Sequence, residues 1–435
     1  MNGREAAVRA LLAWEKRGAW SDAYLDGLFR REKLPERERA LAQRLCCGVI
    51  QNLTALDWYL TPYVRGSLQS PVRAILRCAV YQLAFLDRIP PSAAVDTAVE
   101  MAKSMANPAA ARVVNAILRR LTSAPLPPLP RGGDAESLAV RYSHPLWLTQ
   151  LWLDRLGEAD CRHLLAANNE IPPTALRVNR LRGTAEEVSA ALTEENAVFS
   201  PLPPLPDFFA LKEGRAADLS VFRRGMVTVQ DPAAALPVLC AEVKPGMRVL
   251  DACAAPGGKT FLLAQEMEDR GEILACDLHP NKLERLRAAA DRLRIRCVRT
   301  QAADARKPAE EWKNAFDLVL ADVPCSGMGV IRKKPEIRWK PREELADLPG
   351  IQLAILRSLG DCVRPGGQLV YSTCTLLEAE NEAVTAAFLA ERGDFRAEPI
   401  HLPAPLGDIP EGRRTLWPFE YGTDGFYLCR MIREK

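Results

Sequence analysis

The sequence predicts an all-helical N-terminal module followed by an α/β domain built on a mostly parallel sheet covered on both faces. Three observations carry this. Residues 1–122 have helical apolar spacing and no strand-like alternation. Residues 123–133, Ser-Ala-Pro-Leu-Pro-Pro-Leu-Pro-Arg-Gly-Gly, cannot continue a helix and read as a stiff break. From about residue 226, short apolar runs alternate with amphipathic stretches, the rhythm of βαβ units.

Within the first module, Ile75, Ala79, Leu83 and Leu86 line one helix face, and Val113, Ile117 and Leu121 repeat every four residues. Asn107-Pro108 reads as an N-cap followed by a first-turn proline. Residues 123–142 are assigned to a linker. Residues 143–225 are mixed: a helical run at Leu146–Leu156, a strand at Ala175–Asn179 and a second proline-rich loop at Pro201–Pro206. In the third region, 226–435, strands are expected at Met247–Asp251, Ile273–Asp277, Asp317–Asp322 and Gln368–Thr373. Helices are expected at Lys259–Glu268 and Pro280–Arg294. Phe426–Ile432 reads as a late antiparallel edge strand.

At 435 residues the chain exceeds what one core usually serves. No run of about 18 apolar residues predicts a membrane span. The start, Met1-Asn2-Gly3-Arg4-Glu5, leads into a charged amphipathic pattern rather than a secretory signal, so a cytoplasmic protein is expected. Twelve cysteines without a Cys-x-x-Cys pair, and only four histidines, argue against structural zinc and for free thiols. Residues 1–125 hold 18 Lys+Arg against 11 Asp+Glu, while the remainder is slightly acidic. A basic module joined to a near-neutral one fits a polyanionic partner, although a solvated helix surface explains the charge equally well.

Ligands of open α/β sheets bind beyond the C-terminal ends of the strands. The first strand of this region ends at Asp251 and runs into Ala252-Cys253-Ala254-Ala255-Pro256-Gly257-Gly258-Lys259-Thr260. Gly257 and Gly258 permit close backbone approach to a ligand. Gly258-Lys259-Thr260 matches the end of a P-loop, but Cys253 stands where its first glycine belongs, and Pro256 removes a donor. A dinucleotide fingerprint is absent too, so a phosphate cradle is disfavoured. Asp277, ending the second strand, is placed to accept from ribose hydroxyls, and Asp304 from an adenine amine. Acids at successive strand ends suit adenosine bearing a charged amino-acid end, as in S-adenosyl-L-methionine.

Two further strands release thiols. Asp317–Asp322 runs into Val323-Pro324-Cys325-Ser326-Gly327, and Gln368–Thr373 into Cys374-Thr375. Core cysteines normally sit mid-strand, so their position singles out Cys325 and Cys374. A thiolate adding at carbon 6 of cytosine makes carbon 5 nucleophilic enough to accept a methyl group. A base must then remove the carbon-5 proton before the thiol can leave. A nearby carboxyl group would hydrogen-bond the pyrimidine edge and steady the charge.

The runs Asp251–Thr260, Asp322–Gly327 and Tyr371–Thr375, flanked by Gly225–Pro232 and Gly422–Tyr427, resemble the signature motifs of the Nop/Sun family of RNA cytosine-5 methyltransferases. The resemblance implies a Rossmann-like class I methyltransferase sheet in which Cys253, Ala254, Ala255, Pro256, Gly257, Gly258, Lys259, Asp277 and Asp304 hold S-adenosyl-L-methionine. It places Asp322 between cofactor and base. It makes Cys374 the nucleophile and Cys325 the group that assists release. DNA cytosine methyltransferases attack instead with the Pro-Cys thiol, so the presence of both motifs implies RNA and not DNA.

Residues 1–122 are similar to a NusB-like RNA-binding domain, on runs such as Arg73–Arg77 and Arg112–Arg120. Residues 143–225 then correspond to the family's RNA-contacting extension, in which Leu176-Arg177-Val178-Asn179 resembles a recurring segment. The domain order implies small-subunit (16S) rRNA as partner; no membrane, no metal and a monomer are separate expectations. Arg332–Trp339, basic with one aromatic, reads as an RNA-facing loop. The competing readings are the same reaction on tRNA, a non-catalytic RNA-binding assembly factor, and a sugar 2′-hydroxyl methyltransferase. Intact Asp322, Cys325 and Cys374 weigh against the second. The third calls for a Lys-Asp-Lys-Glu constellation rather than two strand-end thiols.

Overall fold

The computed structural model describes residues 1–434. It contains two compact units, residues 1–169 with 334–340 and residues 170–333 with the chain from Pro341 onward.

The first unit is helical: α1 (Gly3–Arg17), α2 (Ser21–Glu32), α3 (Glu36–Gln51), α4 (Leu53–Leu60), α5 (Ser70–Phe85), α6 (Pro91–Met105), α7 (Pro108–Thr122), α8 (Ala135–Tyr142) and α9 (Leu146–Ala167). Helix α5 is buried almost all round, from Val72 through Gln82, and is the axis of the core. Its Arg77 is buried but paired, 2.6 Å from Glu15 and 2.7 Å from Asp57, so the charge is compensated where it lies. Asn107 caps α7 as its sequence indicates, accepting from the Ala110 amide at 2.9 Å.

Three readings of this region change. The apolar face of α7 is Val114, Ile117, Leu118 and Leu121, while Val113 is exposed. A strict four-residue step drifts off a 3.6-residue repeat, and Val113 falls on the wrong side of that drift. Residues 135–142, read as the end of a linker, form α8. It is capped by Asp134, whose side chain accepts from the Ser137 amide at 2.8 Å. Glu336, Arg338 and Trp339 belong to the helical unit and are no RNA-facing loop. Arg338 is fully buried and donates to the Ser143, Asn168 and Gln51 carbonyls and to Asn169 Oδ1, at 2.8–3.3 Å. Trp339 Nε1 donates to the Ile50 carbonyl at 2.8 Å, and Glu336 accepts from Ser21. A guanidinium gathering orphan helix-end carbonyls is invisible in composition, where the same residues read as solvated charge.

The second unit opens with a small antiparallel sheet of β1 (Thr174–Val178), β2 (Phe199–Pro201), β3 (Phe208–Leu211) and β4 (Val227–Val229), in the order β2-β3-β1-β4. The large sheet follows: β5 (Arg248–Asp251), β6 (Glu272–Asp277), β7 (Val298–Ala302), β8 (Phe316–Asp322), β9 (Val363–Thr373) and β10 (Phe395–Ala397). A two-stranded ladder, β11 (Ile400–His401) with β12 (Asp408–Ile409), stands apart. The large sheet is completed by β13 (Arg413–Leu416) and β14 (Phe426–Arg433).

Its order is β10-β14-β9-β8-β5-β6-β7, with β5 to β9 mutually parallel. Successive residues of β8 enter opposite cores. Leu318 and Leu320 pack into one, Val319 and Ala321 into the other, which explains its unbroken apolar run. Strand β14 is antiparallel to β9 as expected, but it is not an edge: β13 and β10 cover its outer side. Those strands are too short and too charged to show a two-residue period.

The chain order reverses between β5 and β8, so the loops leaving these neighbours part and open a crevice at their C-terminal ends. Asp251, Asp277, Asp322 and Cys374 stand at or just past the ends of β5, β6, β8 and β9.

Candidate active site

The loop after β5 is tied on both sides. The Ala252 amide donates to Leu320 of β8 at 3.0 Å, and the Ala254 amide to Cys276 of β6 at 2.7 Å. It then passes through a cis Ala255–Pro256 bond to Gly257, whose φ of 109° lies in the left-handed region. A Cβ there would stand 2.5 Å from the Phe261 ring and 2.9 Å from Leu286, so only glycine lets the following helix, Gly258–Glu266, start this close to its neighbours. Cys253 is mostly buried, and burial together with Asp251 pushes its thiol pKa upward.

Arg177, in β1, holds this loop from behind. It is 1% exposed, donates to the Gly258 carbonyl at 3.3 Å and to Gln265 Oε1 at 2.7 Å, and is pushed down to about 9 by desolvation. Asn179 bonds the carbonyls of Gly225 and Leu293. These contacts give Leu176–Asn179 a structural purpose.

Lys259 Nζ lies 2.7 Å from Asp322 Oδ2 and over the Phe426 ring, while Ser372 Oγ donates to Asp322 Oδ1 at 2.7 Å. Beside them, Cys325 Sγ and Cys374 Sγ are 3.3 Å apart, both reduced and partly buried. The residues that follow the thiols are also joined, Ser326 Oγ to Thr375 Oγ1 at 2.6 Å. The hydrogen bond from Cys325 pulls the Cys374 pKa down, and Lys259 adds to this against burial and Asp322. That same bond, burial, Glu380 and Asp322 drive Cys325 well upward. Within the coupled pair, Lys259 on the Cys374 side and Glu380 on the Cys325 side both favour the thiolate on Cys374.

Asp251 is buried, accepts from Thr260 Oγ1 at 2.6 Å, and is pushed up to about 7 by desolvation. Asp277 is buried at its strand end and accepts from the His279 amide, with Lys282 Nζ at 3.8 Å. Asp304 stands apart from the others. It lies two residues beyond β7, and its carboxylate is held by Arg306 through both Nε and Nη2, which brings it to about 2. A ligand reaching Asp304 has to compete with that pair.

Arg332 and Lys333 meet two buried carboxylates. Arg332 contacts Asp424 at 2.9 Å and Asp231 at 3.2 Å, and Lys333 contacts them at 2.5 Å and 2.8 Å. Arg332 is therefore an internal brace, with Lys333 pairing the same acids from a more exposed position, which corrects the reading of Arg332 as RNA-facing at the other end of Arg332–Trp339 too. Sequence reasoning missed Gly329 as well. Its amide donates to the Cys374 carbonyl at 2.9 Å and its carbonyl accepts from the Gly425 amide at 2.8 Å. A Cβ on Gly329 would stand 2.0 Å from the Gly425 oxygen.

A parallel sheet with a glycine-mouthed loop and strand-end acids, in a chain that also folds a helical unit, defines the class: a Rossmann-like α/β fold with an appended helical module. Residues 238–432 match the model of the 16S rRNA methyltransferase RsmB/F family, residues 1–123 the NusB family, and residues 144–218 a ferredoxin-like domain of RsmF/B-like methyltransferases. The chain is 36% identical to a probable ribosomal RNA small subunit methyltransferase B of Bacillus subtilis, over 99% of this chain and 98% of the relative. It is 33% identical to the ribosomal RNA small subunit methyltransferase B of Klebsiella pneumoniae, over 100% and 99%. The crystal structure of PH0851 superposes with a TM-score of 0.82 at 27% identity, covering 100% of this chain and 98% of that one. The chain belongs to the small-subunit ribosomal RNA methyltransferase B family.

Proposed function

We propose that the protein transfers a methyl group from S-adenosyl-L-methionine to carbon 5 of a cytosine in small-subunit rRNA, through a covalent bond between Cys374 and carbon 6. The observation that carries this reading is the pair of thiols 3.3 Å apart at the ends of adjacent strands, next to a Lys259–Asp322 pair 2.7 Å apart.

The crevice fits the cofactor in kind. The loop that enters the Gly258–Glu266 helix through Gly257 and Gly258 carries no bulky side chain at the helix mouth, and Asp277 supplies a carboxylate at the end of β6 that suits ribose hydroxyls. Residues Cys253–Lys259 and Asp277 would hold the cofactor, with Asp304 at the adenine end once released from Arg306. S-adenosyl-L-methionine, when bound, supplies an electrophilic methyl group.

The remaining chemistry belongs to the chain. Cys374, the more acidic thiol, attacks carbon 6 as thiolate. Asp322, steadied by Lys259 and Ser372, holds the polar edge of the ring as charge develops. After transfer, with Cys374 bound to carbon 6, Cys325 gives its own S–H proton to solvent and as thiolate takes the carbon-5 proton. The C6–S bond then breaks, and its electron pair returns to Cys374. Both thiols lie in a crevice that a stacked base cannot enter, so the target cytosine is unpaired or flipped out.

The test is to incubate the protein with methyl-labelled cofactor and unmethylated small-subunit rRNA and to identify the labelled nucleoside. 5-Methylcytosine is expected from the wild type and none from Cys374→Ala. Cys325→Ala should accumulate a protein–RNA adduct that survives a denaturing gel. A labelled 2′-O-methyl product, or undiminished activity of Cys374→Ala, overturns the reading.

A further inference from the structure

The two thiol loops share one anchor. Glu380 and Asn381 are adjacent residues that leave solvent almost entirely, at 1% and 0% exposure, and neither was singled out by the sequence. Glu380 Oε2 accepts from the Ser326 amide at 2.9 Å and from Gln352 Nε2 at 2.8 Å, and Gln352 Nε2 also donates to the Pro324 carbonyl at 3.0 Å. The residues on either side of Cys325 are thus gripped together. Asn381 does the same for the other thiol. Its Oδ1 accepts from Thr373 Oγ1 at 2.6 Å, and its Nδ2 donates to the Thr375 carbonyl at 3.0 Å. The anchor is itself fixed to the sheet, because Tyr371 Oη donates to the Glu380 carbonyl at 2.6 Å.

We infer that Glu380 and Asn381 are positioning residues that hold the two thiols in register, Glu380 with Gln352 serving Cys325 and Asn381 serving Cys374. Neither touches the reacting atoms in this reading. A charge-assisted hydrogen bond to a backbone amide fixes a loop more firmly than a neutral one, which suits a carboxylate at the Cys325 turn. Both ends of the Asn381 amide, donor and acceptor, are needed because the Cys374 turn offers one hydroxyl and one carbonyl. The consequence is a division of labour between neighbours: loosening Glu380 should impair release, and loosening Asn381 should impair attack.

The inference rests on the two-thiol reaction proposed above, so the experiment includes wild type and Cys325→Ala as controls on that reaction. Misplacing a reacting group by about 1 Å costs on the order of 100-fold. Glu380→Ala should therefore lower steady-state turnover about 100-fold while single-turnover methyl transfer falls no more than about 3-fold, with adduct accumulating as in Cys325→Ala. Asn381→Ala should lower the single-turnover step itself by about 100-fold and accumulate no adduct. Glu380→Gln keeps an oxygen for Ser326 and Gln352 and should clear the adduct. Parallel loss of both steps in the two alanine variants, or adduct accumulation in Glu380→Gln, overturns the inference. Absence of adduct in the Cys325→Ala control removes the two-thiol reaction instead.

Discussion

Replacing Arg332 with methionine tests whether the loop beyond Cys325 is braced by buried charge. Wild type encloses two carboxylates, Asp231 and Asp424, each only a few per cent exposed, against Arg332 and Lys333. The set is neutral. Methionine leaves a net negative charge in place, and the Gly422 carbonyl loses its 2.8 Å donor. Breaking a buried pair by removing one partner costs about 3–5 kcal/mol, and because Lys333 still reaches both acids the lower end, about 3 kcal/mol, is expected at pH 8.

The loss should depend on pH. Burial and the neighbouring Asp231 already raise the Asp424 pKa, so Asp424 is the group that takes up a proton when Arg332 is gone. A carboxyl whose folded pKa exceeds its unfolded value contributes stability that is present in acid and lost as pH rises through the folded value. The gap between wild type and Arg332→Met should therefore shrink from about 3 kcal/mol at pH 8 to about 1 kcal/mol at pH 5. Urea unfolding at both pH values, followed by circular dichroism, measures it. An equal loss at pH 5 and pH 8, or a loss below about 0.5 kcal/mol at pH 8, refutes the brace.

Two further variants probe the crevice. Asp251, pushed up to about 7 by burial, stabilises the fold only while protonated, so its contribution fades as pH rises from about 4 through 7. Asp251→Asn should gain about 2 kcal/mol over wild type at pH 8, about 4 kcal/mol of relieved charge being offset by a buried amide donor without an acceptor, and should become the less stable form by pH 4, where only that offset remains; a variant less stable than wild type at pH 8 contradicts this. Gly329→Ala forces a Cβ against the Gly425 oxygen and the Cys374 carbonyl, both backbone, and should lower turnover about 100-fold while leaving the cofactor Kd by calorimetry within about 2-fold. Turnover within about 3-fold of wild type would mean that the crossing does not set the position of Cys374.

What the sequence made legible was local. An apolar run that ends in an acid or a thiol announces a strand end, and Asp251, Asp277, Asp322 and Cys374 stand at or just past such ends. Proline and asparagine mark a helix start within two residues, which is why Asn107 could be read as a cap. The late strand Phe426–Arg433 was visible, but its place inside the sheet was not, because β10 and β13 are three and four residues long.

The parts that hold the site still are of another kind. Asp231, Arg332 and Asp424 are separated by about a hundred residues at each step, and no period relates them. Arg338 reads as solvated charge until backbone carbonyls and Asn169 close round it. Glu380 and Asn381 sit in an acidic stretch, Glu378–Glu382, where a surface turn is the ordinary interpretation. Reactive groups must reach a shared crevice, so the fold delivers them at strand ends, where pattern reveals them. The residues that restrain those groups need only meet the backbone beside them, and any buried donor or acceptor of the right reach will serve. Chemistry is therefore more legible than its support, and variants of Glu380, Asn381 and Gly329 ask more of the structure than another substitution of a thiol.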